Sequence, residues 1–323
     1  MIAITKAIRL AQSGQSVLYT CYNANLAKHL QDTTPEYGSL KGKLRIAHFH
    51  QLCREIAEEA GDPIKPYDEA MKNAGTRSQD YYDAIVPKRL DDAINKAAIR
   101  FDTILVDEGQ DFHDTYWKPL MRLLRDRERS AFYIFCDDNQ RIYSDDALPF
   151  TEPRFHLKKN CRNTKPIGVT VGKYHRGMGS YIASGPESER DVRVVDMAKF
   201  ASPEEALEAV FDELAQEKIP ASHIILLTPQ EKGSQWIDGM SIGDWKLVRG
   251  MKPTTSKQIT AETIQSFKGL ERPVVVLAEL DRLQRFDYLS LEDMDSLLYI
   301  ALSRASNHLV ILGSLPEPFT AMK

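Results

Sequence analysis

The sequence predicts an α/β protein of two domains, each built on a mainly parallel sheet, and three observations carry that prediction. Short runs such as Thr103 to Val106 and Ala131 to Cys136 are apolar throughout, as strands covered on both faces are. Helical stretches alternate with these runs along the chain. At 323 residues the chain is long enough for two cores of ordinary size.

The elements follow in order. Ile2, Ile4, Ala7, Ile8 and Ala11 fall on one face of a helix that Ser13-Gly14 stops. Val17 to Cys21 reads as a strand, Asn25 to Gln31 as a helix and Leu44 to Phe49 as a second strand. From Gln51 to Ile99 the pattern is helical and polar, with breaks near Gly61-Asp62-Pro63 and at Gly75. Beyond the runs at 103–106 and 131–136, strands are expected at Val192 to Val195, Ile224 to Leu227, Val274 to Ala278 and Leu309 to Leu312. Helices are expected between them, notably over Pro203 to Glu217 and Asp295 to Ser303. The domain boundary is placed near Pro149 to Arg154, with Gly177 to Pro186 a loop inside the second domain.

Composition narrows the class. Hydrophobic residues make up 42% and charged residues 27%, a globular balance rather than a disordered one. The net charge of −4 gives no electrostatic signature of a nucleic-acid binder, yet phosphate contacts need only a local basic stripe. Cys21, Cys53, Cys136 and Cys161 form no CxxC pair and read as reduced thiols. No apolar run approaches the ~20 residues that cross a bilayer, so a cytoplasmic protein without membrane contact is expected.

In a parallel sheet, ligands bind beyond the carboxyl ends of the strands, and two acidic groups fall at such ends. The first is Asp107-Glu108-Gly109-Gln110-Asp111; one carboxylate there can hold Mg²⁺ and its neighbour can orient or deprotonate an attacking water. A solvated acidic turn is the bland alternative. The second is Asp137-Asp138-Asn139-Gln140, followed by Ile142-Tyr143. Further on come Asn160-Cys161-Arg162-Asn163-Thr164, then Thr263-Ile264-Gln265-Ser266-Phe267-Lys268-Gly269-Leu270-Glu271. Last is Leu298-Tyr299-Ile300-Ala301-Leu302-Ser303-Arg304-Ala305, an arginine at a helix end. His48 and His50 have a spacing that puts both on one strand face, but no third metal ligand lies nearby in sequence.

These five segments, in this order, resemble motifs II to VI of UvrD/Rep-like superfamily 1 helicases. Cys21-Tyr22-Asn23 resembles motif Ia, and His48-Phe49-His50 resembles the DNA-contacting motif after it. The resemblance covers nearly the whole chain. It implies two RecA-like domains, residues 1–153 with motifs Ia to III and residues 154–323 with motifs IV to VI. It also implies an ATP- and Mg²⁺-dependent motor moving on single-stranded DNA. Residue by residue, it implies that Asp107 and Glu108 hold Mg²⁺, with Glu108 also the general base. Gln140 would contact the γ-phosphate, and Arg162 and Arg304 would stabilise charge on the phosphoryl group. Gly269 and Glu271 would meet the nucleotide. Tyr22, Asn23, Phe49, His50, Tyr143, Thr263 and Ser266 would lie along the DNA, where aromatic faces stack bases.

The phosphate loop G-x-x-x-x-G-K-[ST] has no match; Gly42-Lys43 is followed by Leu44 rather than a hydroxyl. The resemblance then places Met1 just after that loop, with the sheet's first and central strand missing too, so that ATP turnover is expected to need an upstream segment. The wording Asp-Glu-Gly-Gln-Asp-Phe with Trp117, and the Gly185-Pro186-Glu187 turn, resemble compact helicases that sometimes follow a nuclease-related domain; a nuclease domain or subunit is the partner this implies. Two alternatives stand beside the motor. One is a non-catalytic nucleic-acid-binding or regulatory protein. The other is a metal-dependent nuclease using Asp107, Glu108, Asp137 and Asp138, disfavoured because Gln140 and two arginines accompany them.

Overall fold

The structure is a computed structural model that describes the chain except residues 1, 71–77, 141–147, 151–152, 177–179, 230–233, 238–239, 251–254, 287–288 and 320–323. The expected break at Gly75, part of the 149–154 boundary and the start of the 177–186 loop lie outside the described residues. The chain divides into two compact units: Met1–Asp137 with Tyr143–Arg154, and Asp138–Ile142 with Phe155–Lys323.

In the first unit, α1 (Ile2–Gln12) buries Ala3, Ile4, Ala7 and Ala11, the face the periodicity marks, and Gly14 at φ 96° ends it. Then come β1 (Val17–Cys21), α2 (Ala24–Thr33) and β2 (Leu44–His48). The second strand is one residue shorter than its sequence suggests, because Phe49 already opens α3 (Phe49–Glu59). Two short helical turns, α4 (Tyr67–Ala70) and α5 (Ser78–Asp80), lead through a π-helical turn at Tyr81–Ile85 into α6 (Val86–Ala93). The unit continues with β3 (Thr103–Asp107), α7 (Asp114–Arg122) and β4 (Ala131–Ile134).

Its four strands are all parallel, in the order β2-β1-β3-β4. The register sets Cys21 beside both His48 and Asp107, so Tyr22, Phe49 and Glu108 leave the sheet at one end. β1 is buried at every position. β4 is not: Tyr133 is 36% exposed and carries the Lys6 ammonium 4.2 Å above its ring. The described strands are mutual neighbours, so the slot expected between them for a central strand is not there. A further parallel strand would have to add outside β2 or β4.

The second unit holds a two-stranded sheet of β5 (Lys159–Asn160) and β6 (Ile182–Ala183), with α8 (Lys165–Gly172) beside β6. It goes on with β7 (Arg193–Val195), α9 (Pro203–Gln216), β8 (Ile224–Thr228) and the hairpin strands β9 (Ser241–Ile242) and β10 (Trp245–Val248). Next are β11 (Gln258–Thr263), β12 (Arg272–Leu277), α10 (Leu291–Ser303) and β13 (Ala305–Leu312). The large sheet runs β7-β13-β12-β8-β11-β10-β9 and is parallel except at β9–β10. Residues 264–271 link the carboxyl end of β11 to the amino end of β12, which lies beyond β8 in the sheet. Ile264, Phe267 and Leu270 are buried along that crossing.

Candidate functional site

The acidic turn of the first unit is held from three sides. Tyr19 donates its hydroxyl to Asp107 Oδ2 at 2.5 Å from the adjacent strand. Glu108 sits in the left-handed region at φ 53°, an uncommon conformation for a residue with a side chain, and such strain clusters at functional turns. Its Oε2 accepts from Gln110 Nε2 at 2.6 Å, and Gln110 Oε1 accepts the Asp137 N–H at 3.0 Å. Gly109 donates its N–H to Phe135 O at 2.8 Å, and a Cβ there would meet Ile134 Cγ2 at 2.4 Å. Only glycine lets the turn lie this close to the end of β4. Gln110 therefore joins the two acidic strand ends that the sequence singles out.

Loss of hydration, and then the neighbouring Glu108 carboxylate, push Asp107 up to about 6. Two adjacent carboxylates with that mutual repulsion are a donor set suited to a hard divalent cation.

In the second unit, Arg304 is buried to 1% exposure at the end of α10. Its guanidinium donates to Ile300 O at 2.9 Å, Leu270 O at 3.1 Å, Ser303 Oγ at 2.7 Å and Gln140 Oε1 at 3.4 Å. Lys268, equally buried, donates its ammonium to Gln140 O at 2.5 Å. Gln140 is thus gripped through both its side chain and its backbone. Gly269 follows Lys268 at φ 81°, which turns the chain toward Leu270.

Arg162 pairs with Glu271 at 3.1 Å, both partly exposed. Its turn is anchored from below: Asn163 is buried and donates to Ser303 O and Ala305 O at 3.0 and 2.7 Å, the backbone flanking Arg304. Asn160 accepts the Arg162 N–H at 3.0 Å. Arg272 lies beside Ala305 in the ladder, so Glu271 and Arg304 both precede the amino ends of adjacent strands. Thr263, at the carboxyl end of β11, lies at the other end of the sheet. The carboxyl-end rule that places the acidic turn does not place these arginines.

The residues carried over as DNA contacts divide. Tyr22 is half-buried. Asn23 caps α2, accepting the N–H groups of Asn25 and Leu26. Thr263 Oγ1 accepts the Ser266 N–H at 3.0 Å, and Ser266 Oγ donates to Glu262 Oε2 at 2.8 Å, which fixes that turn. Phe49 corrects the expectation: it is 0% exposed and stacks on Tyr116 at 4.2 Å, so its ring belongs to the core and offers no face to a base. The reason is local, since Phe49 turns inward as the first residue of α3. His50 is nearly buried among Tyr22, Tyr82 and Tyr116. Desolvation lowers both His48 and His50 to about 4, so neither is a cation at neutral pH. Tyr143 lies outside the described residues.

Two family profiles match the chain. The UvrD/REP helicase N-terminal domain matches residues 18–145, and the UvrD-like helicase C-terminal domain matches residues 258–312. The chain belongs to the UvrD/REP-like helicases. Its two units are the RecA-like α/β domains of that family. No curated protein matches its sequence. Among solved structures, it is similar to the C-terminal domain of a possible DNA helicase from Lactobacillus plantarum WCFS1. That match has 17% identity and a TM-score of 0.33, over 50% of this chain and 93% of that one. It is also similar to the PRRSV helicase, with 13% identity and a TM-score of 0.38, over 97% of this chain; it spans 54% of the length of that one.

Tyr19, Gln110, Asn163 and Lys268 are not singled out by the sequence motifs, yet they hold the motif side chains and turns in place. Lys268 carries a signal, standing inside the 263–271 segment. Tyr19 looked like any strand residue, and only strand register sets it beside Asp107. No described helix is long and apolar enough to cross a membrane.

Proposed function

We propose that the chain is the motor core of an ATP-dependent DNA translocase or helicase. The observation that carries this reading is the buried cluster in which Arg304 and Lys268 grip Gln140, while Arg162 pairs with Glu271, three residues after Lys268. Buried arginine beside a glutamine suits charge that develops on a phosphoryl group in the transition state.

In this reading Asp107 and Glu108 would hold Mg²⁺, which would neutralise phosphate charge when bound. Glu108 takes a proton from the attacking water, and the Gln110 hydrogen bond keeps its carboxylate aimed. Gln140 touches the terminal phosphate, Arg162 and Arg304 stabilise the transferring group, and Gly269 and Glu271 meet the nucleotide. Single-stranded DNA runs along Tyr22, His50 and the Thr263–Ser266 turn. A nuclease domain or subunit is the partner that the Gly185-Pro186-Glu187 wording suggests.

Nothing in residues 1–323 matches the glycine-rich loop that cradles phosphates with backbone amides and a lysine. The chain by itself therefore binds single-stranded oligonucleotides, with affinity falling steeply in salt, yet turns over little ATP. An anisotropy titration and a coupled ATPase assay on the same preparation test this. Robust hydrolysis by these 323 residues shows that the phosphate site is misplaced. Oligonucleotide binding without nucleotide response in any form of the protein favours the regulatory reading.

A further inference from the structure

The segment between α3 and α6 brings aromatic rings and cations to one place. Tyr82, half-buried, meets the His50 ring edge at 5.1 Å, and Tyr67, also half-buried, lies 6.4 Å from Tyr82 with the planes 31° apart. His50 also meets Tyr22, at 5.8 Å. Successive ring contacts thus link Tyr22, at the end of β1, through His50 and Tyr82 to Tyr67. Tyr81 is buried, and its hydroxyl donates to Lys65 O, tying the chain just before α4 to the core.

A shallow depression runs alongside, lined by His50, Arg54, Lys65, Tyr67 and Tyr82 among others. Lys65 is ion-paired to Glu69 at 3.0 Å, one helical turn on. Arg54 is different: it is exposed on α3, and its guanidinium makes no hydrogen bond or ion pair with any described residue. An uncommitted guanidinium beside partly exposed tyrosines has the two parts a single strand needs, a phosphate contact and sequence-tolerant faces for bases.

We infer that Tyr67 and Tyr82, with Arg54, form a base-stacking subsite for single-stranded DNA that extends the Tyr22–His50 path. This rests on the DNA-motor reading above and adds residues outside every motif that carries the family resemblance. The rings stack bases and the guanidinium holds the phosphate between them, so the two contributions separate experimentally.

The test compares a labelled thymidine oligonucleotide with an abasic strand of the same length, titrated with the full chain by fluorescence anisotropy. Tyr82→Ala and Tyr67→Ala each weaken binding to the thymidine strand about fivefold or more and leave abasic affinity unchanged. Tyr82→Phe, which keeps the ring, binds as the parent does. Arg54→Ala, a surface change that leaves the fold alone, weakens both strands and lowers the slope of log affinity against log salt by about 0.7. Tyrosine variants that retain parental affinity for thymidine, or that lose affinity for both strands alike, overturn the stacking subsite and leave the motor reading standing. An unchanged salt slope in Arg54→Ala overturns the phosphate contact. A parent chain that binds neither strand overturns both readings together.

Discussion

Gly185→Ala isolates the geometry that supports Arg162. A Cβ at residue 185 would stand 1.6 Å from Asn163 O and 2.8 Å from its carbonyl carbon. Both are backbone atoms, so no side-chain rotation relieves the clash, and the 160–163 turn has to move. Asn163 resists, because its side chain is fixed to Ser303 O and Ala305 O. Overpacking of this kind costs about 3 kcal/mol, the upper end of its usual range. For a domain of this size that lowers the melting temperature by roughly 6–12 °C. Urea and thermal unfolding followed by tryptophan fluorescence suit the measurement, since Trp236 and Trp245 both report the second unit. Gly42→Ala is the control: nothing lies within 4 Å of its added Cβ, and a shift below about 0.5 kcal/mol is expected. A Gly185→Ala protein that melts within about 1 °C of the parent refutes the reasoning.

Other outcomes follow from the same contacts. Asp107→Asn removes a desolvated charge from beside Glu108 while keeping an acceptor for Tyr19, so it raises the melting temperature at neutral pH. The same change abolishes the stabilisation that added Mg²⁺ gives the parent; a calorimetric scan with and without Mg²⁺ reads both. His48 and His50 titrate near 6.5 when unfolded and about 4 when folded, so the unfolded chain takes up their protons first. Their contribution is full above pH 6.5, drains between 6.5 and 4 and is flat below. It amounts to at most about 3 kcal/mol per residue, less where solvent reaches the ring. Replacing both by glutamine flattens that part of the stability–pH curve. Arg304→Ala strips the donor from Leu270 O and Gln140 Oε1 and destabilises the second unit by about 1–3 kcal/mol; Arg304→Lys, which lacks the fork, does not restore parental stability in urea.

How legible this was in the sequence depends on what each residue packs against. Strands buried on both faces announce themselves, and β1, β3 and β8 appear where uniform apolar runs put them. β11 escaped because Gln258-Ile259-Thr260-Ala261-Glu262-Thr263 mixes polar and apolar residues, although four of the six are buried. The short hairpin strands β9 and β10 carry too few residues to show a period. Within the site, Asp107 and Glu108 stand out because a buried run ends at them. The depth of Arg304 does not, since exposure is settled by the 264–271 crossing that folds back over it. Phe49 shows the same limit from the other side: His-Phe-His reads alike in a strand end and a helix start, and only the latter sends the ring into the core.

The central claim, that these residues perform phosphoryl transfer stimulated by DNA, is tested most directly at Glu108. The measurement is single-strand-stimulated ATP hydrolysis by the chain joined at its N-terminus to a segment that carries the phosphate loop, with and without Glu108→Gln. Hydrolysis stimulated by DNA in the loop-bearing protein, lost in Glu108→Gln with nucleotide binding largely intact, is the predicted result. Hydrolysis that survives Glu108→Gln at the parental rate would contradict the assignment of this turn as the catalytic one.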